Sequence, residues 1–152
     1  MYTQLLAKQI QDAFFGGNWT GVAVEPVLSE VTKTEAVSSV TNGNTIAVLT
    51  YHIFYYAEAI LHVLEGKPLN AKDELSFNVP SITSENEWKM FLEHRFEQMK
   101  KLITLVGQLP DTVLNADFTD PKYGSYYRNL AGFVEHTHYH LGQIVLLKKQ
   151  LE

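Results

Sequence analysis

The sequence predicts an all-α fold, a bundle of four long helices, on three observations. From Leu130 onward the apolar residues Leu130, Phe133, Val134, Leu141, Ile144 and Val145 fall three and four apart, with Thr137 and Lys148 filling the remaining steps of the row. That spacing matches a helical period and no alternation of two. "SENEW" sets Ser84 three residues ahead of Glu87, the capping-box spacing that opens a helix. No strand-ending turn signal interrupts the segment from Leu130 to Leu151.

Taken in order, the first helix is expected over Tyr2–Phe15, where Leu5, Leu6, Gln9, Ile10 and Ala13 stand at helical spacing and "GGNW" stops it. A short helix follows around Glu25–Val31. The turn-rich "TNGNT" caps a second long helix, Thr45–Glu65, whose row Ile46, Leu49, Ile53, Tyr56, Ile60 and Val63 reads as buried, and "GKP" stops it. A polar loop leads to the third long helix, which runs from the Ser84 cap through Val106 to the Gly and Pro stop of "GQLPD". The fourth covers Tyr126–Gln150 and ends in Lys148 and Lys149, whose charge suits a helix C-terminus.

With 152 residues, 45% of them hydrophobic, the chain has the size of one ordinary domain, and residues 1–152 are read as one. A formal charge of -5 offers no basic field for a polyanion, so nucleic-acid binding is not expected. Zero cysteines exclude disulfides, thiolate ligands and a cysteine nucleophile, so any metal must be held by His, Asp or Glu. The N-terminus lacks the pattern of a secretory signal, and no apolar run is read as approaching the roughly 20 residues that span a bilayer. A soluble, cytoplasmic protein with no membrane partner is the expectation. No repeat or linker divides the chain.

Three of six histidines crowd into "EHTHYHLGQI", Glu135 to Ile144. On a strand His136, His138 and His140 would point one way; on a helix His136 and His140 share a face, and His138 is turned by about 200°. The helical row selects the second arrangement. Two imidazoles at i, i+4 can chelate one metal ion, and they can equally be half-buried polar groups bonded to backbone or tyrosine. A zinc protease is disfavoured, because Thr137 stands where its glutamate base would follow the first histidine.

On the second long helix His52 sits beside the buried row, expensive to desolvate without a partner. A tyrosine or a backbone carbonyl is one such partner, and a metal is another. His62, about 80° off the His52 direction, cannot share its ion, and His94 in "EHRFE" reads as solvated. His52, His136 and His140 together make three neutral imidazoles, the number that leaves a metal open positions for chemistry, and a bundle core is where facing helices would assemble them.

These residues resemble the DinB/YfiT-like superfamily of metal-dependent enzymes. "NTIAVLTYHI" in the second long helix and "HTHYHLGQI" near the C-terminus carry the resemblance, joined by "FFGGNWTG", "EGKPL" and "ENEW". It implies a four-helix bundle with a long crossover connection, and a metal held by one histidine of the second helix and an HxxxHxGQ motif on the last. Position by position the ligands fall on His52, His136 and His140, and the GQ pair on Gly142 and Gln143. Tyr139 matches an aromatic frequent before the last histidine, whereas Thr137 departs from an acidic residue found in many members. The implied cofactor is a divalent metal ion, zinc or nickel first, with iron or manganese as alternatives. Gln143 and Tyr56 are the candidates to support a ligand or touch substrate, and Gly142 is expected to permit close helix packing. No catalytic acid or base is assigned.

The activity so implied is transfer of a low-molecular-weight thiol to a small electrophilic substrate, in a homodimer. Hydrolysis by metal-bound hydroxide is the alternative within the enzyme class, ranked second because Glu58 and Glu135 both point away from the site. A stress-related binding or scaffold bundle without turnover is the alternative outside it.

Overall fold

The computed structural model describes residues 1–40 and 43–152. Six α-helices appear among them: α1 (Tyr2–Phe15), α2 (Val24–Ser29), α3 (Lys33–Val37), α4 (Ile46–Leu64), α5 (Glu85–Gln108) and α6 (Tyr126–Leu151). The four long ones are those the periodicity predicts. Thr41 and Asn42 of the expected turn lie outside the described residues, but Thr45 caps α4 as read, its hydroxyl accepting from the Val48 N–H. Ser84 and Glu87 form the expected capping box on α5. A second box, Thr32 with Glu35, opens α3, a helix the sequence reading lacks.

α1 packs against α5 and α6, and α4 packs against the same two, so α1 and α4 face each other across the bundle. The connection that carries α2 and α3 therefore crosses it, which is the long connection expected. Phe14, Phe54, Phe96 and Phe133, one from each long helix, fill the centre with ring centroids 5.5 to 5.8 Å apart. The N-terminus of α1 is tied to the far end of α5. The terminal ammonium, the Thr3 N–H and the Thr3 hydroxyl all donate to Asp111, whose carboxyl they hold well below the usual range.

Three expectations need correction. Leu5 is 59% exposed and Gln9 is exposed, because α1 buries the narrower face of Thr3, Leu6, Ala7, Ile10, Ala13 and Phe14. α4, at 19 residues, does have the length and apolar content of a membrane span; it is apolar on more than one side because it packs against α5 and α6, and 61% of its span-like window is buried inside the protein. The polar loop before α5 is not merely polar. Its Asp73–Phe77 segment forms a single 3-10 turn that packs on α4 and buries Ser76 completely.

Candidate metal centre

α4 presents His52 from mid-length toward α6, and α6 answers with His136 and His140 one turn apart. The Nε2 atoms of His52 and His136 stand 3.0 Å apart. The three ring centroids are 4.5 to 4.9 Å from one another, and one nitrogen from each ring lies within 4.8 Å of the other two, so the group could hold a metal ion. Phe77 stacks on His52 at 4.1 Å, and Tyr56 stands edge-on to both His52 and His136. His52 is 4% exposed and His140 9%.

Hydrogen bonds on the outer edges of the rings fix which nitrogen faces inward. The Ser76 hydroxyl gives its proton to the Asp73 carbonyl, which can only accept, at 2.5 Å. Its oxygen must then accept from Nδ1–H of His52 at 2.8 Å, leaving the lone pair of His52 Nε2 turned toward its neighbours. Gln143 Oε1 likewise accepts from Nδ1 of His140 at 2.6 Å and frees its Nε2. His136 keeps Nδ1 buried without a partner. Nothing on that side fixes its tautomer: with the proton on Nε2 the ring donates to His52, and with the proton on Nδ1 its Nε2 lone pair would be free for a cation. This donor set of neutral imidazoles, two with their outer nitrogens anchored, fits a divalent ion.

Charge on His136 and His52 is disfavoured, as a metal ligand requires. Burial, then the His140 and His52 imidazoles, pushes His136 down to about 4 from an ordinary 6.5. Burial and His140 lower His52 too, against an opposing pull from Asp73. Asp73 accepts a short hydrogen bond from the Tyr56 hydroxyl, which burial and this bond push up to about 12.

His52 and His136 open on a cleft of about 590 Å³. His52, His136, Tyr56 and Asp73 line one part of it, and Phe118, Tyr123 and Arg128 another. Gln143 touches His140 and Tyr56 touches two of the rings, so both candidate supporting residues are at the cluster.

The other sequence candidates fall elsewhere. His138 bonds the Val134 carbonyl of its own helix and lines a different cleft, His62 approaches Glu58 at 3.9 Å, and His94 is exposed. Glu58 pairs with Arg95 at 2.7 Å, and Glu135 is exposed. Gly142 does not serve close packing: it is exposed, and a Cβ there would meet nothing within 4 Å. Tyr139 is exposed, its ring edge-on to His140 at 4.9 Å. Sequence reasoning missed Asp73, Ser76 and Phe77. Their only trace is "DELSF", a small hydroxyl between a Leu and a Phe in the connection before α5.

No curated protein and no solved structure matches the chain. The family model of the DinB superfamily does, over residues 19–144, which takes in α2 to α5 and the part of α6 that carries His136 and His140. The chain belongs to the DinB superfamily, and that membership together with the buried three-histidine group fits a metal-dependent enzyme.

Proposed function

We propose that the protein is a metal-dependent transferase that joins a low-molecular-weight thiol to a small electrophile, with His52, His136 and His140 as the ligands of its divalent ion. The observation that carries the reading is the convergence of three imidazoles, two of them, His52 and His140, anchored by their outer nitrogens on Ser76 and Gln143. When bound, the ion would lower the pKa of a coordinated thiol, so a chain without cysteine needs no nucleophile of its own. Imidazole donors suit zinc or nickel, with iron or manganese behind them. The chain's own contribution is to fix the rings, to exclude water with Phe77 and Phe133, and to offer Asp73 as a nearby proton acceptor.

Asp73 also favours a second reading, hydrolysis. It is a carboxylate in the same cleft as His52 and His136, the group that Glu58 and Glu135 do not provide. The two readings separate in one experiment. Metal-loaded protein is incubated with a chromogenic electrophile and a panel of cellular thiols, and with esters and amides in the absence of thiol, with His52→Ala as control. Thiol-dependent turnover lost in the control supports transfer; cleavage without thiol supports hydrolysis. Tight ligand binding with no product from either arm would overturn both in favour of a non-catalytic bundle.

A further inference from the structure

Along α6 the residues at successive steps of four, Arg128, Gly132, His136 and His140, form one stripe. The first three line the same cleft. The stripe thus runs from a guanidinium, across a residue with no side chain, to the imidazoles. Arg128 and His136 are eight residues apart, about 12 Å along the helix axis. Ala59, Ile60, Leu69, Phe118 and Phe133 supply apolar walls to the cleft.

The Arg128 end is constructed and unspent. Its guanidinium makes no ion pair or side-chain hydrogen bond with any described residue, whereas the chain's other arginine, Arg95, is taken up by Glu58. The stem of Arg128 lies over Gly124, where a Cβ would come within 2.6 Å of its Cδ; Gly124 also has φ +77°, so glycine serves both the turn and the close approach. The corner is tied by Asn129, whose amide donates to the Tyr123 carbonyl at 3.0 Å and the Ser125 carbonyl at 2.9 Å, and by the Phe118 N–H on the Gly124 carbonyl at 2.9 Å.

Gly132 adds an independent sign. Glycine weakens a helix interior relative to alanine, yet a Cβ at this position would meet nothing within 4 Å. Packing does not call for it, and its effect is an open trough between the cation and the imidazoles. Asp73, the one carboxylate among the lining residues, is engaged by Tyr56 beside the histidines, so the Arg128 end stays positive.

We infer that Arg128 is a specificity-determining residue that receives a carboxylate on the tail of the ligand. The ligand is then amphipathic: a reacting head at the histidines, an apolar middle over Gly132, and an anionic end about two helical turns away. For the head, the inference rests on the metal-centre reading above.

Cobalt-loaded protein tests it, because thiol ligation changes the cobalt spectrum and gives affinities without turnover. The probes are ω-mercaptooctanoate against ω-mercaptooctanol, and the short pair mercaptopropionate against mercaptopropanol. The long carboxylate should bind about tenfold tighter than its alcohol, as a charge-assisted hydrogen bond to guanidinium would give, and the short pair should show no such preference. Arg128→Gln should abolish the preference at unchanged cobalt content, Arg128→Lys should keep part of it, and Gly132→Leu should weaken both long thiols while sparing the short ones. Equal affinity of the long pair in the wild type, or a preference that survives Arg128→Gln, overturns the inference. If instead the protein takes up no cobalt, or His52→Ala takes it up equally well, the metal reading is what has failed. Calorimetry of octanoate against octanol on the metal-free protein, wild type and Arg128→Gln, then decides the Arg128 subsite alone: preference for octanoate lost in the variant upholds it, and equal binding overturns it.

Discussion

α6 walls two clefts of similar size, about 590 and 520 Å³, and contributes histidine to both. In the first, His136 meets His52 and lies one turn from His140, with no carboxylate bonded to any of the three rings. In the second, His138 stands alone among Asp12, Trp19, Tyr127 and Glu135, and satisfies Nδ1 on the Val134 carbonyl one turn back at 3.0 Å. The residue type, the helix and the degree of enclosure are shared. What differs is convergence: three rings desolvate one another and turn ring nitrogens toward one point, whereas His138 closes Nδ1 on its own helix and has no second imidazole beside it to share an ion. Chemistry here follows from what a second helix brings to the face, not from histidine as such.

The sharpest way to break that contrast is to remove one imidazole at a time. His52→Ala, His136→Ala and His140→Ala should each lower metal affinity by orders of magnitude, since the two remaining rings no longer close the site. His138→Ala should retain metal at the wild-type level. Elemental analysis of variants that stay folded by circular dichroism reads the result directly. Metal lost only from His138→Ala would invert the assignment of the two clefts.

Next in size come the residues that hold the rings. Ser76→Ala and Gln143→Leu leave all three histidines in place but release the outer nitrogens of His52 and His140. Weakening of about 10- to 100-fold in metal affinity is expected, the usual effect of losing such a support. Unchanged affinity in competition with a chelator would mean that the rings are held by packing alone.

The contrast also explains what the sequence disclosed. His136 and His140 are legible because both lie on one helix, where spacing gives the face, and the row Leu130, Phe133, Leu141 and Ile144 fixes that spacing through burial. His52 is legible as a polar group in an apolar helix. Ser76 and Asp73 are not, because a 3-10 turn has too few residues to show a period, and its place against α4 is set by tertiary contact. The Thr32–Glu35 box is a different failure: the T-x-x-E signal stood in the sequence, but a five-residue helix has no apolar row to draw attention to it. Asp111 binding the first residues of the chain joins positions more than a hundred apart, which no local pattern encodes.

A pH titration sharpens the comparison of the clefts at smaller amplitude. His136 in the folded, metal-free protein has its pKa pushed down to about 4 from an ordinary 6.5. Between those values the unfolded chain binds the extra proton and the folded one does not, so stability is fully present above about pH 6.5 and falls as pH drops toward 4. Allowing for the partial exposure of His136, the loss should be about 1–2 kcal/mol. Chemical denaturation of metal-stripped protein at several pH values should show it, with a shallower slope for His136→Gln. An identical slope in that variant would locate the titration elsewhere.

The smallest effect expected concerns Gly132, which lies between Arg128 and His136 on the wall of the histidine cleft. It sits inside α6, and a Cβ there would project into open space with nothing within 4 Å. Gly132→Ala should therefore remove backbone entropy from the unfolded chain without strain in the folded one, adding about 0.5–1 kcal/mol. For a chain of this length that is a rise of about 1–4 °C in Tm. Metal content should not change, because no bond to His52, His136 or His140 passes through this residue. A fall in Tm would mean that the added methyl meets a neighbour, and the trough between the cation and the imidazoles would not be open. A rise with metal retained leaves glycine at this position without a stability argument, so that its use to the protein lies in the space it leaves in the cleft.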